Sequence, residues 1–289
     1  MVKRLFMACI GVWLQVASAV TVVDDRQVAV TFTQAPKRIV TLLPSLAETV
    51  CVLGACDRLV GTDKHANWPD SVKALPKLGG LDDTQLEALV RLKPDVVLLA
   101  KSARIIHRLQ ALGIAVVALE PQSFADVQRV LRTVAVVLQL PDAQAQADAV
   151  WISIQAQIAK ANTQLPASAL NARVYFEAST GGYAAGEASF MGEVIYQLGL
   201  KNIVPASMGA FPHLNPEFVV RANPQLIVLA QPMVTQLSQR PGWSGIDAIK
   251  NKRICSFPSV QADVLVRPGP RLGEAAQLIS DCVKRSFSP

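Results

Sequence analysis

The 289-residue chain is short of charged and aromatic residues, which make up 17% and 6% of it. Its formal net charge of +6 is spread out, without a basic stripe or a Lys/Arg patch interleaved with aromatics, so nucleic acid is a poor candidate partner. Hydrophobic residues make up 51%, which excludes disorder and is typical of buried parallel sheets. After the first residues no apolar run approaches the ~20 residues of a membrane span.

Common catalytic motifs are also missing. No G-x-G-x-x-G follows a predicted strand, and neither G-x-x-x-x-G-K-[ST] nor G-x-S-x-G occurs. Gly181 and Gly182 follow a predicted strand, but flexible turns are the plainer interpretation. The carboxylates Asp63, Glu177 and Glu187 have no evident paired role in the sequence. We therefore expect that the protein is not an enzyme and uses no catalytic cofactor.

The first residues resemble an export signal. Lys3 and Arg4 precede an apolar run over residues 5–16, and a small-x-small pattern ends at Ala19. This pattern predicts a secretory signal peptide over residues 1–19, cleaved after Ala19. The mature protein would be exported and periplasmic.

Four cysteines would remain after cleavage: Cys51, Cys56, Cys255 and Cys282. An even number in an oxidising compartment indicates disulfides, for which three connectivities are possible. Closeness in sequence favours Cys51–Cys56 and Cys255–Cys282. Thiolate ligation of a metal is the alternative, but no C-x-x-C spacing supports it.

Two stretches of the chain are near copies of each other. They are LEALVRLKPDVVLLA, residues 86–100, and PEFVVRANPQLIVLA, residues 216–230. Each has a glutamate in its first helical turn (Glu87 and Glu217), where the helix dipole favours negative charge. Each then meets a proline, which ends the helix, and continues as an apolar run typical of a buried strand. The duplication predicts two similar lobes.

The order of predicted elements defines three regions. Residues 20–122 and 167–289 each alternate strands with helices, which is typical of an α/β lobe. Residues 123–166 are helical and poor in Gly and Ser, so they indicate a rigid connection. The fold class is therefore α/β, with two Rossmann-like lobes joined by a single long helix. Ligands of such lobes bind at the carboxyl ends of the strands, here in the cleft between the lobes.

Two local features accompany this architecture. Ser45 and Glu48 match the S-x-x-E capping box that opens a helix. The Ala- and Gln-rich segment beginning at Pro141 predicts a helix of about 24 residues, which would span about 36 Å.

Several segments, in this order, carry a family resemblance: PKRIVTLLPSLAE, LVGTD, NWP, LGG, the E-x-x-V-x-x-K-P-D-V-V unit, the long helix and RPGPRLGEAAQLI. Together they resemble the class III periplasmic substrate-binding proteins of ABC importers that carry cobalamin, haem and iron–siderophore chelates. Within this class, the segments match those of the cobalamin carriers best. The resemblance implies a monomer with little hinge closure, a metal chelate as ligand, and a permease dimer in the inner membrane as partner.

The resemblance also implies roles for individual residues. In this family one glutamate on each lobe docks onto arginines of the permease, and Glu87 and Glu217 match those positions. The alternative is that both are ordinary first-turn carboxylates. The implied ligand-binding residues are His65, Trp68, Leu81, Ala100, Phe211, Trp243, Asp263 and Arg267.

The implied cleft departs from the cobalamin carriers, because Leu81 and Ala100 stand in place of tryptophans and His65 in place of a tyrosine. Aromatic faces suit a planar macrocycle. Asp263 and Arg267 are suited to hydrogen bonds with its rim, or equally to a structural ion pair. Trp243 either compensates for the lost aromatics or only packs.

Histidines leave the ligand open. His65 or His213 would suit axial ligation of cobalt or haem iron. A haem or ferric siderophore carrier is therefore an alternative to a corrinoid carrier. A carrier of zinc or manganese ions is a further alternative, which would need His107 to converge with the others; the expected outward face of His107 argues against it.

Overall fold

The computed structural model describes residues 19–179, 181–237 and 239–287. The predicted signal peptide lies outside them, apart from its last residue, Ala19. Among the described helices, none combines the length and the apolar character needed to cross a bilayer.

The first lobe is a parallel sheet preceded by a small hairpin. The hairpin pairs β1 with β2 in antiparallel register, and the sheet has the strand order β4-β3-β5-β6. All its neighbours are parallel. The elements are β1 (Val20–Val23), β2 (Ala29–Phe32), β3 (Ile39–Thr41), α1 (Pro44–Val52), β4 (Leu59–Thr62), α2 (Leu86–Arg91), β5 (Val96–Leu99), α3 (Ile106–Ala111) and β6 (Ala115–Ala118).

The two helices α4 (Phe124–Val137) and α5 (Ala143–Asn162) follow the first lobe. The predicted 24-residue helix from Pro141 is too long, since α5 has 20 residues. Asp142 adopts a left-handed conformation (φ 47°) and separates Pro141 from the first helical residue. The predicted Pro-initiated start is therefore wrong.

The second lobe repeats the plan of the first, with a parallel sheet in the strand order β10-β9-β7-β8. Its strands are β7 (Arg173–Phe176), β8 (Lys201–Asn202), β9 (Leu226–Ala230) and β10 (Ile254–Phe257), and its helices are α6 (Phe190–Gln197), α7 (Pro216–Ala222), α8 (Val234–Leu237), α9 (Asp247–Lys250), α10 (Ser259–Val266) and α11 (Leu272–Phe287). The duplicated stretches form α2–β5 and α7–β9, and both strands lie inside their sheets. The predicted fold class is confirmed.

One hydrophobic core connects both lobes through the helices between them. Helix α5 packs against α4 on one side and against α11 on the other. Trp151 of α5 meets the ring of Phe124 edge-on at a centroid distance of 5.5 Å. Ser280 of α11 donates a hydrogen bond of 2.8 Å to the carbonyl of Ala161. The connection is thus a three-helix layer rather than a bare rod.

The predicted capping box at Ser45 and Glu48 is wrong. Helix α1 begins after Leu43 with Pro44 in its first turn, and no side chain caps it. Ser45 and Glu48 are both buried inside the helix. A capping box does exist in the fold, at Ser123 and Asp126 of α4.

The described residues include two disulfides, Cys51–Cys56 and Cys255–Cys282, with Cα–Cα distances of 4.1 and 5.7 Å. The first is possible because Gly54 turns the chain with φ 81° just after α1. The second ties β10 to α11 and so joins the sheet of the second lobe to the helical layer.

A close backbone crossing at Gly192 in α6 provides a test of this packing. A Cβ at this position would overlap the carbonyl oxygen of Gly186 and lie 2.7 Å from the Cα of Glu187. We expect Gly192→Ala to lower the free energy of unfolding by about 1–3 kcal/mol in denaturant titrations, because backbone must move to admit the methyl group. Gly245→Ala is the matched control, because nothing lies within 4 Å of its Cβ position. Equal stability of the two variants would contradict the crossing.

Candidate functional site

The loops after β3, β4 and β5 form two adjoining depressions on the first lobe. One, of about 330 Å³, is lined by Leu81, Ala100 and Ser102 together with Val266–Pro268 from the second half of the chain. The other, of about 550 Å³, is lined by His65, Leu81 and the segment 80–83. Leu81 therefore lies where both depressions meet. Four predicted ligand residues line the two depressions: His65, Leu81, Ala100 and Arg267.

Local hydrogen bonds hold the loop that carries His65. Asp63 is buried, and its carboxylate accepts a 2.6 Å hydrogen bond from the backbone N–H of His65. Burial raises the pKa of Asp63, and the hydrogen bond from His65 opposes that shift. The imidazole of His65 itself is exposed. A fixed backbone thus presents a free ring to the depression.

Gly79 allows the neighbouring loop to turn sharply. Its φ is +86°, and a Cβ would clash with the backbone of Asp83. Asp83 accepts a 2.6 Å hydrogen bond from the N–H of Gly80 and a 2.8 Å one from Lys64. This turn exposes Leu81 at 38% of its surface.

The second lobe has its own cavity of about 300 Å³, lined by Gly181, Gly182, His213 and Arg240 among others. Beneath it the carboxylate of Glu177 accepts two 2.7 Å hydrogen bonds from Arg240. This fork raises the pKa of Arg240. Burial raises the pKa of Tyr175 above its ordinary range, and the charge of Glu177 adds to the shift. Glu177 thus has the paired role that the sequence did not reveal.

Trp243 belongs to the packing beneath this cavity. Its side chain is 1% exposed, meets the ring of Tyr175 at 5.7 Å, and lies under the guanidinium of Arg240 at 4.5 Å. The ring is thus largely covered by protein, although Trp243 is among the residues that line the cavity. Its role toward a ligand stays a prediction.

Two exposed aromatic groups stand on the rim of the second lobe. Phe211 leans on Phe190 with ring centroids 5.8 Å apart and keeps 37% of its surface exposed. His213 and Tyr183 are paired by a backbone bridge, and their rings meet at 5.3 Å. Tyr183 was not predicted as a site residue; its position just after Gly181-Gly182 at the end of a strand was the available signal.

Asp263 and Arg267 form an ion pair at 2.8 Å. Arg267 also pairs with the buried Glu48 of α1 at 2.9 Å, and donates to the side chain of Asn67 and the carbonyl of His65 at 2.8 and 2.9 Å. The side chain of Arg267 is only 7% exposed. Both of its terminal nitrogens are therefore bound to protein groups, while the residue also lines the first-lobe depression. Whether Arg267 contacts a ligand stays a prediction.

The same network covers Trp68 and links the two halves of the chain. Asn67 donates to Asp263 at 2.8 Å, and the guanidinium of Arg271 lies 5.1 Å from the ring centroid of Trp68. Burial raises the pKa of Glu48, and the hydrogen bond and charge of Arg267 oppose this rise. The spacing of Asn67, Glu48 and Arg271 in the sequence gave no sign that they would meet.

The structure thus separates the predicted site residues into groups. His65, Leu81 and Ala100 line the first lobe, Phe211 and His213 lie on the second, and Trp68, Asp263 and Arg267 belong to the network between them. His65 and His213 line different depressions. Within the described ranges, no group of three or more His, Cys, Asp or Glu side chains is arranged to hold a metal ion.

Glu87 and Glu217 occupy matching places, in the first turns of α2 and α7. Both are exposed, and no ion pair among the described residues involves them. Asn215 caps α7 by accepting a 2.9 Å hydrogen bond from the N–H of Glu217. The two carboxylates are available to a partner.

Comparison with known proteins agrees with this architecture. A family model described as periplasmic binding protein matches residues 39–260. The uncharacterized ABC transporter substrate-binding lipoprotein YvrC of Bacillus subtilis is 28% identical over 275 residues, covering 91% of this chain and 85% of its own. The vitamin B12-binding protein of Pectobacterium carotovorum is 25% identical over 249 residues, covering 84% and 87%.

Among solved structures, the crystal structure of the heme binding protein HmuT superposes with a TM-score of 0.74 at 22% identity, covering 96% of each chain. This likeness concerns the fold, in which two α/β lobes flank a cleft. With the family match extending over most of the sequence, the resemblance predicted from the sequence is confirmed: the chain belongs to the periplasmic binding protein family.

Proposed function

We propose that the protein is the substrate-binding component of an ABC importer, exported to the periplasm, where it captures a corrinoid between its lobes and delivers it to a permease dimer in the inner membrane. The observation that carries this proposal is that each lobe has a cavity at its loops, with exposed apolar or imidazole groups beside it. The family match and the B12-binding relative at 25% identity support it. In this role the protein binds and performs no chemistry.

The shape of the two edges suits a large, partly apolar ligand. Leu81, Val266 and Phe211 are exposed apolar side chains of the kind that a macrocycle would cover. Each keeps only about two-fifths of its surface exposed, so covering the remainder would contribute about 0.6–1.2 kcal/mol. His65 and His213 lie on opposite lobes, and either imidazole would suit an axial position of a bound metal. Ser102 and Glu120 supply polar groups for the rim of the ligand.

Haem is the second candidate, and one observation favours it. Tyr183 is 47% exposed beside His213, and a phenolate or an imidazole is an accepted protein ligand of haem iron. One of the two groups could take the single axial position that the metal of a porphyrin offers on each face, with the other group beside it. The resemblance to this family implies that a haem carrier would have a tyrosine near Asn67. The sequence has none there, which favours the corrinoid.

Absorption titration of the purified protein tests the proposal. We expect saturable spectral change with aquocobalamin or cobinamide at one ligand per protein, because axial ligation and burial both shift the bands of the chromophore. Haem, a ferric siderophore and zinc or manganese salts are the comparison ligands. If metal ions alone bound tightly, or if a ligand were turned over, a chelate carrier would be ruled out.

Charge reversal tests the docking role of the repeat. We expect Glu87→Lys with Glu217→Lys to abolish uptake while leaving chelate affinity within about twofold, because both carboxylates are outside the cavities and would face permease arginines. Asp57→Lys is the control, since Asp57 is exposed and makes no ion pair among the described residues. Loss of chelate affinity in the double variant would instead assign these glutamates to the cleft or the core.

The role of Arg267 is tested by a double-mutant cycle with Glu48. We expect Arg267→Met to lower the free energy of unfolding by up to about 3–5 kcal/mol, because the buried Glu48 keeps only the more distant Arg271, at 3.7 Å. Glu48→Met with Arg267→Met should be much less destabilised, because the buried carboxylate is removed together with its nearer cation. Urea titrations of the four proteins measure both effects. A stable Arg267→Met protein with weakened chelate binding would make Arg267 a ligand residue.

A further inference from the structure

The helix that carries Glu87 is held at its far end by an arginine from another part of the first lobe. Arg38 lies just before β3, the neighbour of β5 in the sheet. Its Nη2 donates to the carbonyl of Leu92 at 2.7 Å, and its Nε donates to the carbonyls of Leu92 and Lys93 at 2.9 and 3.2 Å. These are the carbonyls that follow the last turn of α2.

The helix that carries Glu217 is held in the same way. Arg173 is the first residue of β7, the neighbour of β9. Its Nη2 donates to the carbonyl of Asn223 at 2.8 Å, and its Nε donates to the carbonyls of Ala222 and Asn223, each at 3.2 Å. The acceptors stand at equivalent positions of the two repeat copies.

The backbone around the two arginines matches as well. Lys93 and Asn223, which end the two helices, have φ angles of 46° and 43°. Asp95 then accepts a 2.9 Å hydrogen bond from the N–H of Arg38, and Gln225 accepts a 3.1 Å one from the N–H of Arg173. The duplication therefore extends beyond the repeated stretch. In each lobe an arginine at or just before a neighbouring strand, Arg38 or Arg173, binds the carbonyls at the end of the helix, and we call this arrangement the clamp.

Short helices need such support. Helices α2 and α7 have six and seven residues, well below the length at which a helix is stable alone. Their last carbonyls have no partner within the helix and lie at the negative end of its dipole. An arginine fork satisfies two carbonyls at once and supplies positive charge there.

We propose that Arg38 and Arg173 are positioning residues for docking, holding α2 and α7 so that Glu87 and Glu217 keep the separation and orientation that a permease dimer recognises. The inference rests on the docking role proposed above. Neither arginine touches the chelate or the permease in this proposal; each acts through the helix it clamps. The recognised partner is a pair of cationic surfaces related by a two-fold axis.

Hydrogen exchange of the purified protein tests the clamp without any partner. We expect amide exchange in residues 86–93 to speed up about tenfold in Arg38→Met, and that in residues 216–223 to do so in Arg173→Met, because hydrogen bonds to a charged group are lost. Methionine keeps an apolar stem. Each variant should leave the helix of the other lobe unchanged.

Arg91→Met and Arg221→Met are the matched controls. Both arginines are exposed on the same two helices, and neither makes an ion pair among the described residues. The controls remove the same charge without removing a clamp, so exchange should stay at the original rate. Unchanged exchange in the Arg38 and Arg173 variants, or equal acceleration in the controls, would overturn the clamp.

Binding of fluorescently labelled protein to spheroplasts of the source cell measures docking without a chelate. We expect saturable binding that is lost in Glu87→Lys/Glu217→Lys, weakened about fivefold or more in Arg38→Met/Arg173→Met, and retained in the control variants. Full binding by the clamp variants, with loss in the glutamate variants, would overturn the positioning role alone. Full binding by the glutamate variants would overturn the docking role, and with it this inference.

Discussion

The buried pair between Glu48 and Arg267 is the contact on which the relation of the two lobes depends. Glu48 is almost fully buried, and the guanidinium of Arg267 at 2.9 Å is the nearer of the two cations that stabilise its charge, the other being Arg271 at 3.7 Å. The same guanidinium fixes the backbone of His65 and the side chain of Asn67. One arginine from the second half of the chain thus orders the loop that lines the first-lobe depression.

Hydrophobic packing supplies what a few polar contacts do not. A continuous cluster of buried side chains runs from the first lobe through α4, α5 and α11 into the second. The interface is therefore packed like the interior of a single domain, where small changes in volume are already costly. The polar network of Arg267 fixes the orientation of the two lobes relative to each other, whereas the three-helix layer resists bending between them.

The sequence predicted the features that depend on local pattern. In each copy of the repeat, a helix, a proline and an apolar run follow one another, and this order correctly predicted β5 and β9. It could do so because the effects of a proline and of an apolar run depend mainly on residues close in sequence. It did not predict the partner of Glu48, which is separated from it by 219 positions. The S-x-x-E spacing therefore predicted a capping box. In the fold, both Ser45 and Glu48 are buried within α1 instead. Trp243 and Arg267 were similarly ambiguous, because an aromatic or a cation suits a core or a cleft until its surroundings are known. The predicted domain limits and ligand residues remain predictions.

The three-helix layer of α4, α5 and α11 has a consequence for unloading. A binding protein with a flexible hinge can release its ligand when its two lobes move apart, because bending the hinge costs little free energy. Here a hinge motion would have to slide α5 between two packed neighbours and break a buried ion pair. In the proposed role, unloading would be work done on the carrier by the permease, whose surfaces would have to open or enter the space between the lobes. Until it docks, the carrier would keep its ligand.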